Sequence, residues 1–354
     1  MGYKVAIVGI GMVGQEMVRA VERSSIPLEG PLRVFARTAR TEHIDGRAYQ
    51  VEEVSEEKFE GIELALFAGS EGVKGASEQY AWKAVEKGAL VIDNSSAFRQ
   101  YPNVPLVVPE VNASAITPEH RFIANPNCST IQMVIALAPI HREVGIDRIV
   151  VSTYQSCSGW GRAAVDQLLQ QSSQALAGAS PEVDSSIIPR QIAFNVVPQI
   201  DAFLPNGYTK EEAKMLNETR KILGDDNIRV SATCVRVPVV RGHAEAVTIQ
   251  TKKPLSPAEA RDLLLAEAER LRGPNGPHLL VVDDPFAQDP TKRYPTPLDA
   301  ACGWQVWVGR IRQDLALDNG LSMWVVADNL LKGAATNAVQ IAEYCHAQGL
   351  IKKQ

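Results

Sequence analysis

The chain has 354 residues, 45% hydrophobic and 22% charged, with a formal net charge of −5. That length suits two domains of ordinary size, and the balance is that of a soluble globular protein. A negative net charge without a long basic run argues against nucleic-acid and membrane partners, and no apolar run approaches the roughly 20 residues of a membrane span. Five widely spaced cysteines, an odd number with no CxxC pair, argue against a disulfide framework and a structural zinc site. The first expected strand begins at Lys4, leaving no room for a signal peptide, so a cytoplasmic protein is expected.

Lys4–Val8 reads as a short apolar strand, and residues 13–23 have helical spacing. Between them stands Gly9-Ile10-Gly11-Met12-Val13-Gly14. A GxGxxG run after a strand and opening a helix is the dinucleotide-binding context: one glycine makes the turn, the next lets backbone approach a pyrophosphate, and the third allows close packing. The next expected strand, Arg33–Ala36, usually ends in an acid that holds the ribose of NAD. Here it runs into Arg37-Thr38-Ala39-Arg40. Two guanidinium groups and a hydroxyl suit a 2′-phosphate, so NADP is expected, against the plainer reading of two solvated arginines. Leu64–Ala68 and Leu90–Asp93 are further strands around a helix at 73–87. Alternating strands and helices predict a Rossmann-like parallel sheet covered on both faces.

An extended run, Arg121–Ala124, then meets Asn125-Pro126-Asn127-Cys128-Ser129-Thr130-Ile131-Gln132 and a helix expected over Ser129–His141. A thiol at a helix start faces unpaired N–H groups and the positive dipole end, which favour the nucleophilic thiolate. The alternative is a small buried cysteine. Ser129 and Gln132 fit a capping box that would fix the helix start. Beyond it, strands at Arg148–Gln155, 230–237, Ala244–Gln250, 305–312 and Leu321–Val326 suggest a mostly antiparallel sheet with one face covered. Helices at 161–176, Lys210–Leu223 and 257–271 could supply that cover. A last helix over 329–348 could return to the first domain. The expected division is 1–127 plus a C-terminal helix 328–354 for cofactor binding, and 128–327 for an α+β catalytic and dimerisation domain.

Two further runs carry chemistry. Arg236 ends a strand, and Gly242-His243 opens the next, where a histidine can serve as acid and base or be an ordinary loop residue. Gln155, in Tyr154-Gln155-Ser156-Cys157-Ser158-Gly159, could orient a carbonyl or an imidazole, or be a satisfied strand-end amide. Cys157 lacks a helix start or a basic partner and is not read as a second nucleophile.

With Asn127-Cys128-Ser129, Ser152-Thr153-Tyr154-Gln155 and Arg236 through His243 together, the chain resembles the aspartate-semialdehyde dehydrogenase family, bacterial branch, over nearly its whole length. Asp93 through Arg99, Val108 through Asn112, Lys210 through Lys214, Gly309 through Arg312 and Ala327-Asp328-Asn329 extend the likeness. The resemblance implies NADPH-dependent reduction of aspartyl phosphate to aspartate semialdehyde and phosphate, reversibly, in lysine, threonine, methionine and diaminopimelate synthesis. It implies Cys128 as nucleophile, Gln155 as the residue orienting the intermediate and His243 as acid/base. Arg236 would hold the substrate carboxylate, Glu211 its ammonium, and Arg99, Lys214 and Asn127 the phosphate. Ser158, Gly159 and Asn329 would join Gly9, Gly11, Met12, Val13, Gly14, Arg37, Thr38 and Arg40 around NADP, and the chain would form a homodimer through its second sheet. Two departures stand out. The glycine turn is shorter than the family's, and Trp160 follows Gly159 where a small residue is usual. Other acyl reductases on the same scaffold, for N-acetylglutamyl phosphate or malonyl-CoA, and a non-catalytic paralogue are the alternatives. The set Arg236, Glu211 and Arg99 favours a free amino-acid phosphate.

Overall fold

A computed structural model describes residues 2–69, 75–274 and 276–353. The chain divides into two compact units, Met1–Asn127 with Ala334–Gln354, and Cys128–Gly333. The second boundary lies six residues beyond the expected 327. The expected helix over 329–348 is also shorter, because Leu331–Ala335 winds as a π-turn and the regular helix covers Thr336–Ala347.

In the first unit, β1 (Val5–Val8) leads into α1 (Met12–Arg23), followed by β2 (Arg33–Ala36), β3 (Arg40–Ile44), β4 (Arg47–Glu53), β5 (Leu64–Phe67), α2 (Ala76–Glu86), β6 (Leu90–Asp93), the short α3 (Pro109–Asn112) and β7 (Phe122–Ala124). Residues 73–74 of the expected second helix lie outside the described residues. The strands form one sheet in the order β3-β4-β2-β1-β5-β6-β7. All its pairings are parallel except the β3–β4 hairpin, which the sequence reading missed. Strands β1, β5 and β6 are wholly buried, as a parallel sheet covered on both faces requires. The C-terminal helix packs beside α1 and adds Ala338, Ile341 and Ala342 to this core.

The second unit opens with α4 (Cys128–Val144) and continues through β8 (Ile146–Gln155), α5 (Arg162–Leu176), α6 (Lys210–Leu223), β9 (Arg229–Arg236), β10 (His243–Thr251), α7 (Pro257–Arg270), β11 (Leu279–Val281), the short α8 (Pro297–Ala300), β12 (Val306–Gln313) and β13 (Gly320–Ala327). Its sheet runs β11-β12-β13-β10-β8-β9, with the three central pairings antiparallel and the two end pairings parallel. Cover on the inner face comes from α4, α6 and α7. Helix α5 instead packs on the 157–160 turn and on Ile188, Ile192 and Val197, contrary to expectation. Helix α4 is apolar nearly all round, as a helix enclosed on every side must be. Its start also corrects the sequence reading. It begins at Cys128, so Ser129 is not its cap, and the Gln132 side chain turns inward and accepts no bond from Ser129. Among the described residues no helix is long and apolar enough to cross a membrane.

Candidate active site

In the first unit, Gly9 turns the chain at φ +97° at the end of β1. A Cβ on Gly14 would lie 2.0 Å from the Gly9 carbonyl oxygen, so only glycine lets α1 start against that turn. Gly11 differs: a Cβ there would meet nothing within 4 Å, and no side chain caps the helix. The first-turn N–H groups of α1 are thus left without a side-chain cap beside an open Gly11, the arrangement that receives a pyrophosphate. The residues present fit a dinucleotide. At the end of β2, Arg37 and Thr38 are exposed. Arg40 opens β3 and is already engaged, pairing with Glu42 at 3.0 Å and donating to the Thr38 carbonyl at 3.3 Å. Beyond β6, Arg99 is buried and donates to the Asn94 carbonyl at 2.6 Å. Asn127 is buried at the end of the unit. Two residues before it, Asn125 accepts from Asn337 of the C-terminal helix at 2.7 Å.

In the second unit, Cys128 is half-buried and is the first residue of α4. Strand alternation brings the other expected groups to one end of the inner sheet face. Gln155 pairs in register with Arg236, and His243 stands one step beyond the Tyr154–Ala244 pair. Arg236, Gln155 and His243 therefore form one transverse row across three strands, all buried. Arg236 donates to the Ser156 carbonyl at 2.7 Å. Burial lowers its pKa, opposed first by the Glu211 carboxylate and then by Cys157, Cys128 and Cys234 in turn. At the first residue of α4 the helix dipole favours the Cys128 thiolate.

His243 is held by the turn after β8. The Ser156 N–H donates to His243 Nδ1 at 3.1 Å. A backbone N–H only donates, so Nδ1 is bare and the neutral ring carries its proton on Nε2. Burial, and then the positive charge of Arg236, hold the ring well below the usual histidine range. Its Nε2 is enclosed and has no hydrogen-bond partner among the described residues. A Cβ on Gly159 would stand 3.0 Å from that nitrogen and 2.9 Å from Arg236 Nη1, so Gly159 is what lets both groups approach the turn. Asn329 braces the same corner: its Oδ1 accepts from Ser156 Oγ, Ser158 Oγ and the Gly242 N–H, and its Nδ2 donates to Ser158 at 3.0 Å. The amide expected at the cofactor is thus spent largely on the histidine loop. Ser156 was missed in the sequence, where nothing marks one serine of a polar turn above its neighbours.

Thr209 caps α6 with a full capping box, which presents Glu211 in the first turn. Gln155 Nε2 donates to Glu211 at 3.2 Å, and Lys214 bridges Glu211 at 3.3 Å and Asp201 at 3.1 Å. The expected ammonium and phosphate contacts therefore already hold one another. Contrary to the sequence reading, Cys157 opens the 157–160 turn and has a basic neighbour in Arg236, but burial outweighs it and pushes the thiol up to about 11, so it is an inert core cysteine. Trp160 is exposed beside Gly159.

Comparison with known proteins follows this division. A family profile described as the semialdehyde dehydrogenase NAD binding domain matches residues 4–118, and one described as its dimerisation domain matches residues 137–332. An aspartate-semialdehyde dehydrogenase of Aquifex aeolicus is 47% identical over 99% of this chain and 100% of its own. That of Bacillus subtilis is 46% identical over 97% of each. Among solved structures, aspartate semialdehyde dehydrogenase II of Vibrio cholerae, complexed with ASA, superposes with a TM-score of 0.87 at 43% identity, covering 98% of this chain and 99% of that one. The Candida albicans enzyme with NADP matches at a TM-score of 0.75 and 25% identity, covering 99% of this chain and 100% of that one.

Proposed function

Because the chain belongs to the aspartate-semialdehyde dehydrogenase family, we propose that it reduces L-4-aspartyl phosphate to L-aspartate 4-semialdehyde and phosphate, reversibly, with NADP, in lysine, threonine, methionine and diaminopimelate synthesis. The observation that carries this reading is the transverse row of Arg236, Gln155 and His243, with Cys128 as the first residue of α4. Cys128 thiolate attacks the acyl carbon, the C–O bond to phosphate breaks, and phosphate leaves and takes up a proton from solvent. Cys128 then holds the acyl group as a thioester, which divides one hard step into two easier ones. A bound reduced nicotinamide supplies hydride to that carbon. The electron pair that moves to oxygen is met by His243 Nε2–H as a hydrogen-bond donor, a role that suits a neutral imidazole. Collapse of the oxyanion returns thiolate and releases aldehyde, so this step needs no net proton from His243.

Gln155 orients the intermediate, and Arg236 pairs two-pronged with the substrate carboxylate. When the substrate ammonium reaches Glu211 it takes the place of Lys214, whose charge is then available to the phosphate. Arg99 and Asn127 serve the same phosphate. Around the cofactor we place Gly9, Gly11, Met12, Val13 and Gly14 at the pyrophosphate, Arg37, Thr38 and Arg40 at the 2′-phosphate, and Ser158, Gly159 and Asn329 at the histidine loop. The deciding assay is NADP reduction by aspartate semialdehyde, with and without phosphate, repeated with NAD and with N-acetylglutamate semialdehyde. Turnover that ignores phosphate, or that prefers the acetylated substrate, refutes the reading.

Arg37→Ala should lower kcat/KM for NADP by roughly 10- to 100-fold, the worth of a charge-assisted bond, and leave NAD unchanged. An equal loss with both cofactors would remove the 2′-phosphate role. The outer face of the six-stranded sheet exposes Val150 and Tyr154, and we place a homodimer contact there. Val150→Asp should halve the mass found by light scattering at micromolar concentration. A dimer that survives both that change and Tyr154→Asp is built on another surface.

A further inference from the structure

Behind the row of Arg236, Gln155 and His243, the inner sheet face carries an acid that the chemistry above does not use. Glu245 follows His243 by two residues on β10 and shares its face. It stands opposite Thr153 of β8 and Val325 of β13, and Thr153 stands opposite Cys234 of β9. None of these neighbours is a cation, and Glu245 is completely buried. Across from the sheet is Gln132 of α4, one turn after Cys128 and equally buried. Its amide acts on the Glu245 carboxyl, but short of a formed hydrogen bond: both carboxyl oxygens and both Gln132 polar atoms lack a partner among the described residues. Native cores rarely leave four such atoms open on two neighbouring side chains.

We propose that Glu245 is a positioning residue: its carboxyl and the Gln132 carboxamide bond each other, and this bond holds the Cys128 end of α4 in register with the His243 end of β10. A carboxylic acid and a carboxamide each offer one donor and one acceptor in a plane, so the pair satisfies all four atoms. Burial favours the protonated carboxyl and outweighs the opposing pull of Gln132. Cys234, the titratable group nearest on β9, is itself pushed up by burial, so it adds no charge that would reverse this. What the pair controls is the placement of the sulfur against His243 Nε2, and a misplacement of about 1 Å in such a geometry costs about 10²-fold in rate.

This inference rests on the catalytic reading above, and its test separates the two. Glu245→Gln keeps an amide-to-amide pair and should hold kcat within about threefold of the parent, while Glu245→Leu and Gln132→Leu should each lower kcat by about tenfold or more at unchanged KM. The double leucine variant should be no worse than either single one, because the two groups act as a unit. Gln132→Glu with Glu245→Gln swaps the pair and should restore the rate. Two readouts do not depend on turnover. The alkylation rate of Cys128 by iodoacetamide should change in the leucine variants and hold in Glu245→Gln. Melting should also respond, because a folded pKa raised above the unfolded one makes stability fall as pH rises above about 4.5. Glu245→Gln should therefore gain on the parent from pH 5 to pH 8, and the gain should vanish near pH 4.5. Full kcat in both leucine variants, or an inactive Glu245→Gln, overturns the proposal. If the leucine variants do not fold, the swapped pair decides, and its inactivity overturns it. If the parent protein shows no reductase activity, the catalytic reading fails while alkylation and melting still report on the pair.

Discussion

Cys128→Ala should abolish turnover, lowering kcat by about 10⁴-fold or more, the scale on which a covalent nucleophile is lost. Cys128 is the first residue of a long helix, is half-buried, and acts electrostatically on Arg236. Cys157 and Cys234 act on Arg236 as well, but neither opens a long helix and burial pushes both far up, while Cys302 is exposed in a turn at φ +64°. Neither Cys157 nor Cys234 can replace Cys128 as a thiolate near neutral pH. Intact-protein mass spectrometry of enzyme quenched during turnover should show the added acyl group in the parent and none in the variant. The fold should survive, because a half-buried thiol changed to a methyl removes little packing. The melting temperature should move by no more than a few degrees, and dinucleotide binding should remain. Near-normal turnover in this variant would refute the covalent route.

The parts of this fold that were legible in the sequence are those with a strong physical signature. Strands β1, β5 and β6 read as unbroken apolar runs because both faces are buried. Helix α6 is bounded in sequence by its Thr209 cap and Gly224, which is left-handed at φ +67°. The β3–β4 hairpin was missed because β3 is mostly exposed and shows no apolar alternation. Its signal was nevertheless present in Asp45-Gly46, both at positive φ, the pair that a two-residue hairpin turn prefers. The start of α4 was misplaced because Ser129 and Gln132 match a capping box by type, yet Gln132 is needed in the core. No local rule separates those two uses of a glutamine.

The site divides in the same way. Cys128, Gln155, Arg236 and His243 stand at the ends of elements, and their types announce reactive groups. Ser156 and Asn329, which hold His243, lie in polar turns where any of several side chains could have done so. Glu245 was within reach, because period-two alternation from His243 places it on the inner face. An acid at an inward position of a central strand conflicts with burial, and such conflicts mark function more often than accident.

His243→Ala should lower kcat by about 10²- to 10³-fold, the loss expected when one oxyanion donor is removed, with KM little changed. The reason is the fixed tautomer. Ser156 N–H occupies Nδ1, so the ring offers Nε2–H and remains neutral. A neutral donor predicts a kcat profile without an acid limb near pH 6.5, since burial and Arg236 hold this ring well below that value. His243→Gln still carries an N–H donor and should keep more activity than His243→Ala. Stability gives an independent reading. A folded pKa depressed below the unfolded value means that the unfolded chain binds the extra proton first, so stability is complete above about pH 6.5 and is lost as pH falls toward the folded pKa. The parent should therefore lose more melting temperature than His243→Gln between pH 7.5 and 5. His141 is lowered by burial too and contributes with the same sign, but it is common to both proteins and cancels in the comparison. An acid limb near pH 6.5 that disappears in His243→Gln, with that variant as inactive as His243→Ala, would instead require an imidazolium, and the Ser156 contact would have to break during turnover.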